Sequence, residues 1–378
     1  MTMNQHRFAC GLRGLGAVFA ALMLAVGLAL GAAAGPALAQ QSAPAGPTDP
    51  AGTLGPLGQS SDTDIWREIR RGNQFETQVQ NQGAGIMIQS EGEVWRNFRN
   101  GPLPYYGAWG LFGIVALLAL FFLVRGRIKI DEGMSGRTIE RFNTIERAAH
   151  WLLASTFIIL AITGLNLLYG RYFLPGLIGK EAFATISMWG KYAHNYLAFG
   201  FMLGLVMIFV LWVKDNIPGW TDVKWFLKGG GILGMGHPDS KRFNGGQKLI
   251  FWMVVLGGAS LSMSGVALMW PFEFHFFAGT FDTINGIFGT SLPTALGPIQ
   301  EQQLNAVWHA IVGLVMIVVI IAHIYIGSVG MEGAFDAMGS GQVDINWAKE
   351  HHNLWVEDMV RKGRADAPSG GHGTQPAE

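Results

Sequence analysis

Five stretches of the chain are apolar over about the length that a membrane-spanning helix needs, and polar segments separate them. A helix crosses a bilayer with about 20 apolar residues, because each residue adds about 1.5 Å of length. The pattern therefore predicts an all-α membrane protein with five transmembrane helices. Their approximate bounds are 105–124, 149–169, 193–213, 249–270 and 305–329.

The residues before the first span have a different pattern. Residues 1–39 hold two arginines, an apolar run and a small-residue site before Gln40, as a cleaved signal peptide does. An uncleaved anchor is the alternative, since the run is long for a signal. The sequence thus predicts these parts: 1–39 signal peptide, 40–104 periplasmic linker and arm, 105–130 extra transmembrane helix, 131–335 four-helix bundle, and 336–378 cytoplasmic tail.

Charge distribution predicts the orientation of the spans. The first span ends at Arg125, Arg127 and Lys129, and the loop 214–248 is also rich in lysine and arginine. The loop 271–304 contains neither. Because cytoplasmic loops carry the excess of positive residues, we expect a multi-pass protein of the bacterial inner membrane. Its N-terminal arm is then periplasmic and its C-terminus cytoplasmic.

Composition narrows the possible chemistry. Only 14% of the 378 residues are charged, against about 25% in an ordinary soluble domain. The formal net charge is zero, so nothing indicates a nucleic-acid partner, whereas membrane lipid is an expected one. The single cysteine, Cys10, lies in the predicted signal, which excludes cysteine-ligated iron–sulfur clusters in the mature chain. A redox cofactor must therefore be held by histidine or methionine, or lie on a partner.

Four histidines of the spans fall at two depths. His309 and His323 share one apolar helix and nearly one face, about 21 Å apart. Counting spans puts His150 level with His323 near the cytoplasm, and His194 level with His309 near the periplasm. Two imidazoles can bind one b-type haem inside a helical bundle. The sequence therefore predicts a transmembrane four-helix di-haem cytochrome b bundle that binds two haem b.

Other interpretations stay open on the residues alone. A transporter can use membrane histidines for proton relay, although the centres of these spans lack the carboxylates that such relays use. A haem-free anchor is a further alternative. Six histidines receive no ligand role: His6, His237, His275, His351, His352 and His372.

Motifs along residues 137–360 resemble the gamma (cytochrome b) subunit of respiratory formate dehydrogenase. They are ERAAHW, KYAHNYLAFG, FNGGQKLIFW, SGVALMW, VWHAIVG and AHIYIG. The segment AGIMIQSEGEVWRNFRNGPL also resembles the periplasmic arm of longer members. The resemblance implies that His150, His194, His309 and His323 ligate two haems b. The span 105–124 has no counterpart in the shortest members.

The same resemblance implies partners and a direction of electron flow. A catalytic subunit with a molybdenum or tungsten pterin would oxidise formate in the periplasm, and an iron–sulfur beta subunit would pass the electrons on. This chain would anchor the complex and deliver electrons to quinone, menaquinone or ubiquinone, at the cytoplasmic side. A di-haem cytochrome b of a nickel–iron hydrogenase or of a thiosulfate or polysulfide reductase is the alternative.

Two further sites follow from residue chemistry. Asn244 and Gln247, in FNGGQK before the fourth span, offer amide hydrogen bonds to a quinone carbonyl, and Lys248 could stabilise developing charge. In the resembling family the quinone site lies here. In the arm, tryptophan and arginine are residue types that anchor interfaces, so we expect them to hold the soluble partner, with a self-packed arm as the alternative. They are Trp66, Arg67, Trp95, Arg96 and Arg99.

Overall fold

The computed structural model describes residue 71 and residues 92–231 and 236–363. The predicted signal peptide and most of the predicted arm, including Trp66 and Arg67, lie outside the described residues. The helices are α1 (Gly92–Asn100), α2 (Pro102–Arg125), α3 (Thr144–Leu165), α4 (Arg171–Ile178), α5 (Lys180–Trp212), α6 (Trp220–Leu227), α7 (Gly245–Met269), α8 (Phe276–Phe288), α9 (Pro298–Ile326), α10 (Asp336–Gly339) and α11 (Ile345–Arg361). A π-helical turn, Asn166–Gly170, joins α3 to α4, and a 3-10 turn spans Gly229–Gly231. The strands are β1 (Thr138–Glu140) and β2 (Gln342–Asp344).

Five helical stretches of the described residues are long and apolar enough to cross a membrane, which confirms the predicted all-α architecture. Each stretch begins earlier in the chain than predicted; α5, for example, begins at Lys180 and not near residue 193. Hydropathy marks only the apolar part of a helix, whereas backbone hydrogen bonding continues through its polar ends. Their bounds are Gly92–Arg125, Thr144–Ile178, Lys180–Trp212, Gly245–Met269 and Pro298–Ile326.

The contacts divide the chain into two compact units. Of the described residues, the smaller unit holds residue 71, residues 92–100 and Ser264–Trp308. Within it, the carboxylate of Glu301 is almost fully buried and accepts hydrogen bonds from the backbone nitrogens of Phe277 (3.0 Å) and Ala278 (2.7 Å). These nitrogens are unsatisfied donors in the first turn of α8, so Glu301 caps that helix.

The larger unit comprises Gly101–Met263 and His309–Glu378, and close helix contacts hold it together. A Cβ added to Gly204 of α5 would lie 2.9 Å from the backbone nitrogen of Leu153, so α3 and α5 touch backbone to backbone. Gly107 lets the extra helix α2 approach the side chain of Leu314 in α9, which a Cβ added there would meet at 2.6 Å. The hydroxyl of Tyr169 also donates to the carbonyl of Pro104 at 2.9 Å. The extra span is therefore packed on the histidine-bearing helices.

The segment after the last span is folded against the start of the bundle. Strand β1 pairs antiparallel with β2, with Ile139 opposite Val343. Asp344 caps α11 by accepting from the backbone nitrogen of Asn346 at 2.8 Å. Trp347 and Trp355 of α11 are buried in the same apolar cluster as residues from α3, α5 and α7. Residues 336–361 thus form an ordered cap on one end of the bundle.

A buried ion pair fixes that end. Glu146 of α3 accepts from the indole of Trp212 (2.9 Å) and from the guanidinium of Arg242 (2.7 Å). Arg242 also bonds Asp215 at 2.9 Å. These bonds tie the start of α3 to the end of α5 and to the segment before α7. They are costly to break, because removing one partner of a buried pair leaves an uncompensated charge.

Candidate functional site: two histidine pairs and a cavity beside the first

The first pair is His150 with His323. Asn143 accepts from the backbone nitrogens of Ile145 and Glu146, and Glu146 reaches back to the nitrogen of Asn143. This capping box fixes the start of α3 and hence the position of His150. His323 lies in the last turn of α9. The two imidazole ring centres are 6.3 Å apart and their planes are inclined by 59°.

The second pair is His194 with His309, whose ring centres are 6.2 Å apart at 64°. Nδ1 of His194 lies 2.8 Å from Oγ1 of Thr163, and that hydroxyl donates its proton to the carbonyl of Ile159 at 2.8 Å. Because the hydroxyl proton is already used, Thr163 accepts the Nδ1 proton of His194. Nε2 of His194 then keeps its lone pair for a metal. A hydrogen bond to the backbone of Leu261 orients His309.

Both spacings fit a metal between the rings. A metal–imidazole bond is about 2 Å and the bonded nitrogen lies about 1 Å from its ring centre, so two imidazoles across one iron have centres about 6 Å apart. Nδ1 of His150 is buried and has no hydrogen-bond partner among the described residues. Imidazole is a usual axial ligand of haem iron, so the two pairs suit two haem groups. The structure brings together the pairs that the depths predicted; their role as ligands stays a prediction.

A cavity of about 890 Å³ lies beside the first pair, and both His150 and His323 line it. Asn244 and Gln247 line the same cavity. Its volume falls in the range of small-molecule sites, about 300–1,000 Å³. The predicted quinone residues and one predicted haem pair therefore share a single space.

Asn244 and Gln247 also cap α7. The backbone nitrogen of Asn244 donates to Oε1 of Gln247 (3.1 Å), and the backbone nitrogen of Gln247 donates to Oδ1 of Asn244 (2.9 Å). Their amide nitrogens take no part in these two bonds. Lys248 instead donates to the carboxylate of Asp222 at 2.8 Å and to the carbonyl of Ile217 at 3.1 Å. This buried pair makes Lys248 a structural residue and leaves the amides as the candidates for a ligand.

Arg141, Trp347 and His352 are among the polar residues of the cavity wall that sequence reasoning missed. Each has a buried nitrogen without a hydrogen-bond partner in the described ranges: Nη1, Nε1 and Nε2 respectively. Burial, and next the charge of Arg242, lower the pKa of Arg141 to about 9, so its guanidinium is charged at neutral pH. Its other amino group lies 3.5 Å from Oε1 of Gln247. The one sign of Arg141 in the sequence is its position two residues before Asn143, the cap of α3.

Comparison with known proteins identifies the family of the chain. The model of the prokaryotic cytochrome b561 family matches residues 141–341, more than half of the chain. The nitrate-inducible formate dehydrogenase cytochrome b556(Fdn) subunit of Escherichia coli K12 is 27% identical over 60% of this chain and 93% of its own length. The formate dehydrogenase cytochrome b556(fdo) subunit of the same organism is 28% identical over 60% and 94%.

A third relative is more distant in sequence. The formate dehydrogenase cytochrome b556 subunit of Haemophilus influenzae is 23% identical over 61% of this chain and 87% of its own length. The matched families and the five apolar helices agree on a multi-pass membrane protein, and a cytochrome b implies haem b as cofactor. The chain belongs to the prokaryotic cytochrome b561 family.

Proposed function

We propose that this chain is the membrane cytochrome b subunit of a formate dehydrogenase. It anchors the complex in the bacterial inner membrane and holds two b haems, one at His150 and His323 and one at His194 and His309. A molybdenum or tungsten pterin subunit supplies electrons to a periplasmic iron–sulfur subunit, and this chain takes them from that subunit. It reduces quinone at the cytoplasmic side.

The observation that carries the proposal is the spacing of the two histidine pairs, 6.3 Å and 6.2 Å between ring centres. When bound, haem supplies one-electron redox chemistry. The chain contributes four neutral imidazoles, the hydroxyl of Thr163 that holds one of them in orientation, and the bundle that excludes water. Formate is the proposed electron source because the named relatives are formate dehydrogenase subunits.

The cavity beside the first pair supports a quinone site. The amide nitrogens of Asn244 and Gln247 and the guanidinium of Arg141 can donate hydrogen bonds to a quinone carbonyl. Arg141 is charged, and a charge-assisted donor stabilises the negative charge that develops during reduction. The lysines and arginines of 214–248 support a cytoplasmic location for this end.

The test is a reduced-minus-oxidised absorption spectrum of membranes that contain the chain and its partners, with formate as the only electron donor. We expect a b-type band equal to about two haems per chain, reduced by formate and reoxidised by added quinone. A band that dithionite reduces but formate does not would reject formate as the donor. Absence of any haem band would reject the cytochrome itself.

Substitution of single ligands tests the pairing. We expect His194→Ala and His309→Ala to remove one haem and to block formate-driven reduction. His323→Ala should remove the other haem and leave the first reducible. The control is His275→Ala, since His275 belongs to neither pair, and it should keep both haems. Loss of both haems in the His323 variant would contradict the assignment.

A further inference from the structure

A second cluster of metal-ligand residues lies apart from the four paired histidines. His237 precedes α7, whereas Glu350 and His351 lie on α11. One ligand atom from each of the three falls within 4.8 Å of the others. All three residues line the cavity described above. Local sequence does not reveal this cluster, because 113 positions separate His237 from Glu350.

Glu350 is the member that points to a missing ligand. Its side chain is only 9% exposed, and Oε1 accepts from the backbone nitrogen of Glu132 at 3.2 Å. Oε2 is buried without a hydrogen-bond partner among the described residues, and it lies 4.0 Å from Nε2 of His237. A buried carboxylate oxygen that lacks a partner is costly, and a cation between Oε2 and the imidazoles would remove that cost.

Neighbouring bonds hold the two segments in place. The backbone nitrogen of Ser240 donates to Oδ1 of Asn353 at 2.9 Å, and the backbone nitrogen of Leu354 donates to the carbonyl of Ser240 at 3.2 Å. The amide of Asn353 also donates to Asp239 at 2.7 Å. These bonds lie two to four residues from the cluster on both segments, so they position its ligands in advance of any cation.

The local charge also favours a cation. Asp131 lies 2.9 Å from Nε2 of His237, so two carboxylates face the imidazoles. Arg141 opposes them with a single positive charge. Burial, with His237 and Arg141 adding to it, lowers the pKa of His351 to about 4. The imidazole of His351 is therefore neutral at pH 7, which is the form that binds metals.

We propose that His237, Glu350 and His351 bind one divalent transition-metal ion, for which Zn²⁺ is the natural candidate. Two imidazoles with one carboxylate are a donor set that zinc accepts, and a water or Asp131 completes four ligands. Hard cations such as Mg²⁺ prefer oxygen ligands and are disfavoured by two imidazole nitrogens. The bound ion would join α11 to the segment before α7 at the wall of the cavity.

Isothermal titration with ZnCl₂ tests the proposal, on the full haem-loaded chain in detergent after removal of any purification tag. We expect one Zn²⁺ per chain at the cluster, and His237→Gln, Glu350→Gln and His351→Gln should each weaken that affinity tenfold or more. His275→Gln is the control and should bind as the unchanged protein does. MgCl₂ should not compete. Equal affinity in all the cluster variants would overturn the proposal, as would no Zn²⁺ binding by the unchanged protein.

Hydrogen exchange separates a lost site from a misfolded variant. Zn²⁺ should slow exchange in residues 236–243 and 345–361 of the unchanged protein, since binding stabilises the state that binds. His237→Gln should show the same exchange as the unchanged protein without zinc, because this side chain is 39% exposed and its loss leaves the scaffold intact. Adding zinc should not slow hydrogen exchange in the His237→Gln variant. A response of His237→Gln equal to that of the unchanged protein would overturn the proposal.

Discussion

At the scale of single residues, one polar side chain of the site can have a structural role and a chemical role on different atoms. Asn244 accepts a hydrogen bond through Oδ1 to cap α7, and we propose that its amide nitrogen donates to a ligand of the cavity. The hydroxyl of Thr163 donates to the backbone and accepts from His194. Because the two functions sit on separate atoms, single substitutions can remove one and keep the other.

Asn244→Ser separates capping from quinone binding. Serine also accepts the helix N–H, so we expect stability to change by less than about 0.5 kcal/mol. Loss of the amide removes one hydrogen bond of about 1 kcal/mol, which should raise the KM for quinone roughly fivefold. The measurement is quinone-reduction kinetics with both haems retained. The matched control is Asn143→Ser, the same change at the cap of α3, which does not line the cavity. A KM that both variants leave unchanged would exclude Asn244 from the quinone site.

Thr163→Val removes the hydrogen-bond acceptor of His194 with little change in size. Residues that orient a metal ligand typically contribute about tenfold or more in metal affinity. We therefore expect a lower haem-to-protein ratio and a shifted midpoint potential for one of the two haems only. Thr156→Val is the control, since Thr156 lies on the same helix and bonds only the backbone of Leu152 and Leu153. Equal redox titrations of the two variants would show that Thr163 does not act through His194.

At the scale of helices, close approach of two backbones positions the histidine-bearing helices α3 and α5. Gly204 brings α5 against the backbone of α3, and these helices carry His194 and His150. The placement of His150 relative to His194 therefore depends on a position that has no polar chemistry of its own.

Gly204→Ala should push α3 and α5 apart, because the added Cβ would meet backbone atoms of Leu153, which cannot move aside by a rotamer change. We expect a loss of about 1–3 kcal/mol in stability, as for an overpacked core, together with weaker haem retention. Gly113→Ala in α2 is the control; an added Cβ there meets nothing within 4 Å of described structure. Thermal unfolding and the haem-to-protein ratio measure the difference. A Gly204 variant as stable as the control would refute the close-approach argument.

The apolar pattern could predict the five helices and the depths of the histidines, because a span has a fixed length and its residues advance at a fixed rise. The cap at the end of the bundle could not be predicted. Its strands are three residues long, and they pair Ile139 with Val343 across most of the chain. Arg141 follows β1, whereas Trp347 and His352 follow β2 on α11, so local sequence does not reveal that they line one cavity.

At the scale of the whole molecule, the two histidine pairs lie about 21 Å apart along α9. Transfer of an electron from the second pair towards the first displaces charge over most of a bilayer. Work against the membrane potential is about 2.3 kcal/mol per 100 mV for each charge that crosses. Our hypothesis is therefore that formate oxidation outside and quinone reduction inside generate a potential.

Right-side-out vesicles that carry the complex test this hypothesis. Formate should make the interior negative, as a potential-sensitive dye reports, because electrons move inward and quinone takes up protons from the interior. An uncoupler should abolish the dye signal and leave quinol formation intact. Quinol formation without any dye signal would place both half-reactions on the same side of the membrane.

The folded cap has a consequence for biosynthesis. Trp347 and His352 belong to the wall of the cavity, yet they are translated after all five apolar helices. Until β2 pairs with β1, we expect the part of the cavity wall that Trp347 and His352 provide to be absent. We expect this interval to be the time at which bulky cofactors enter from that end, with the docking of α11 as the closing step of maturation. A chain truncated after Ile326 would then insert into the membrane with a pocket that never closes.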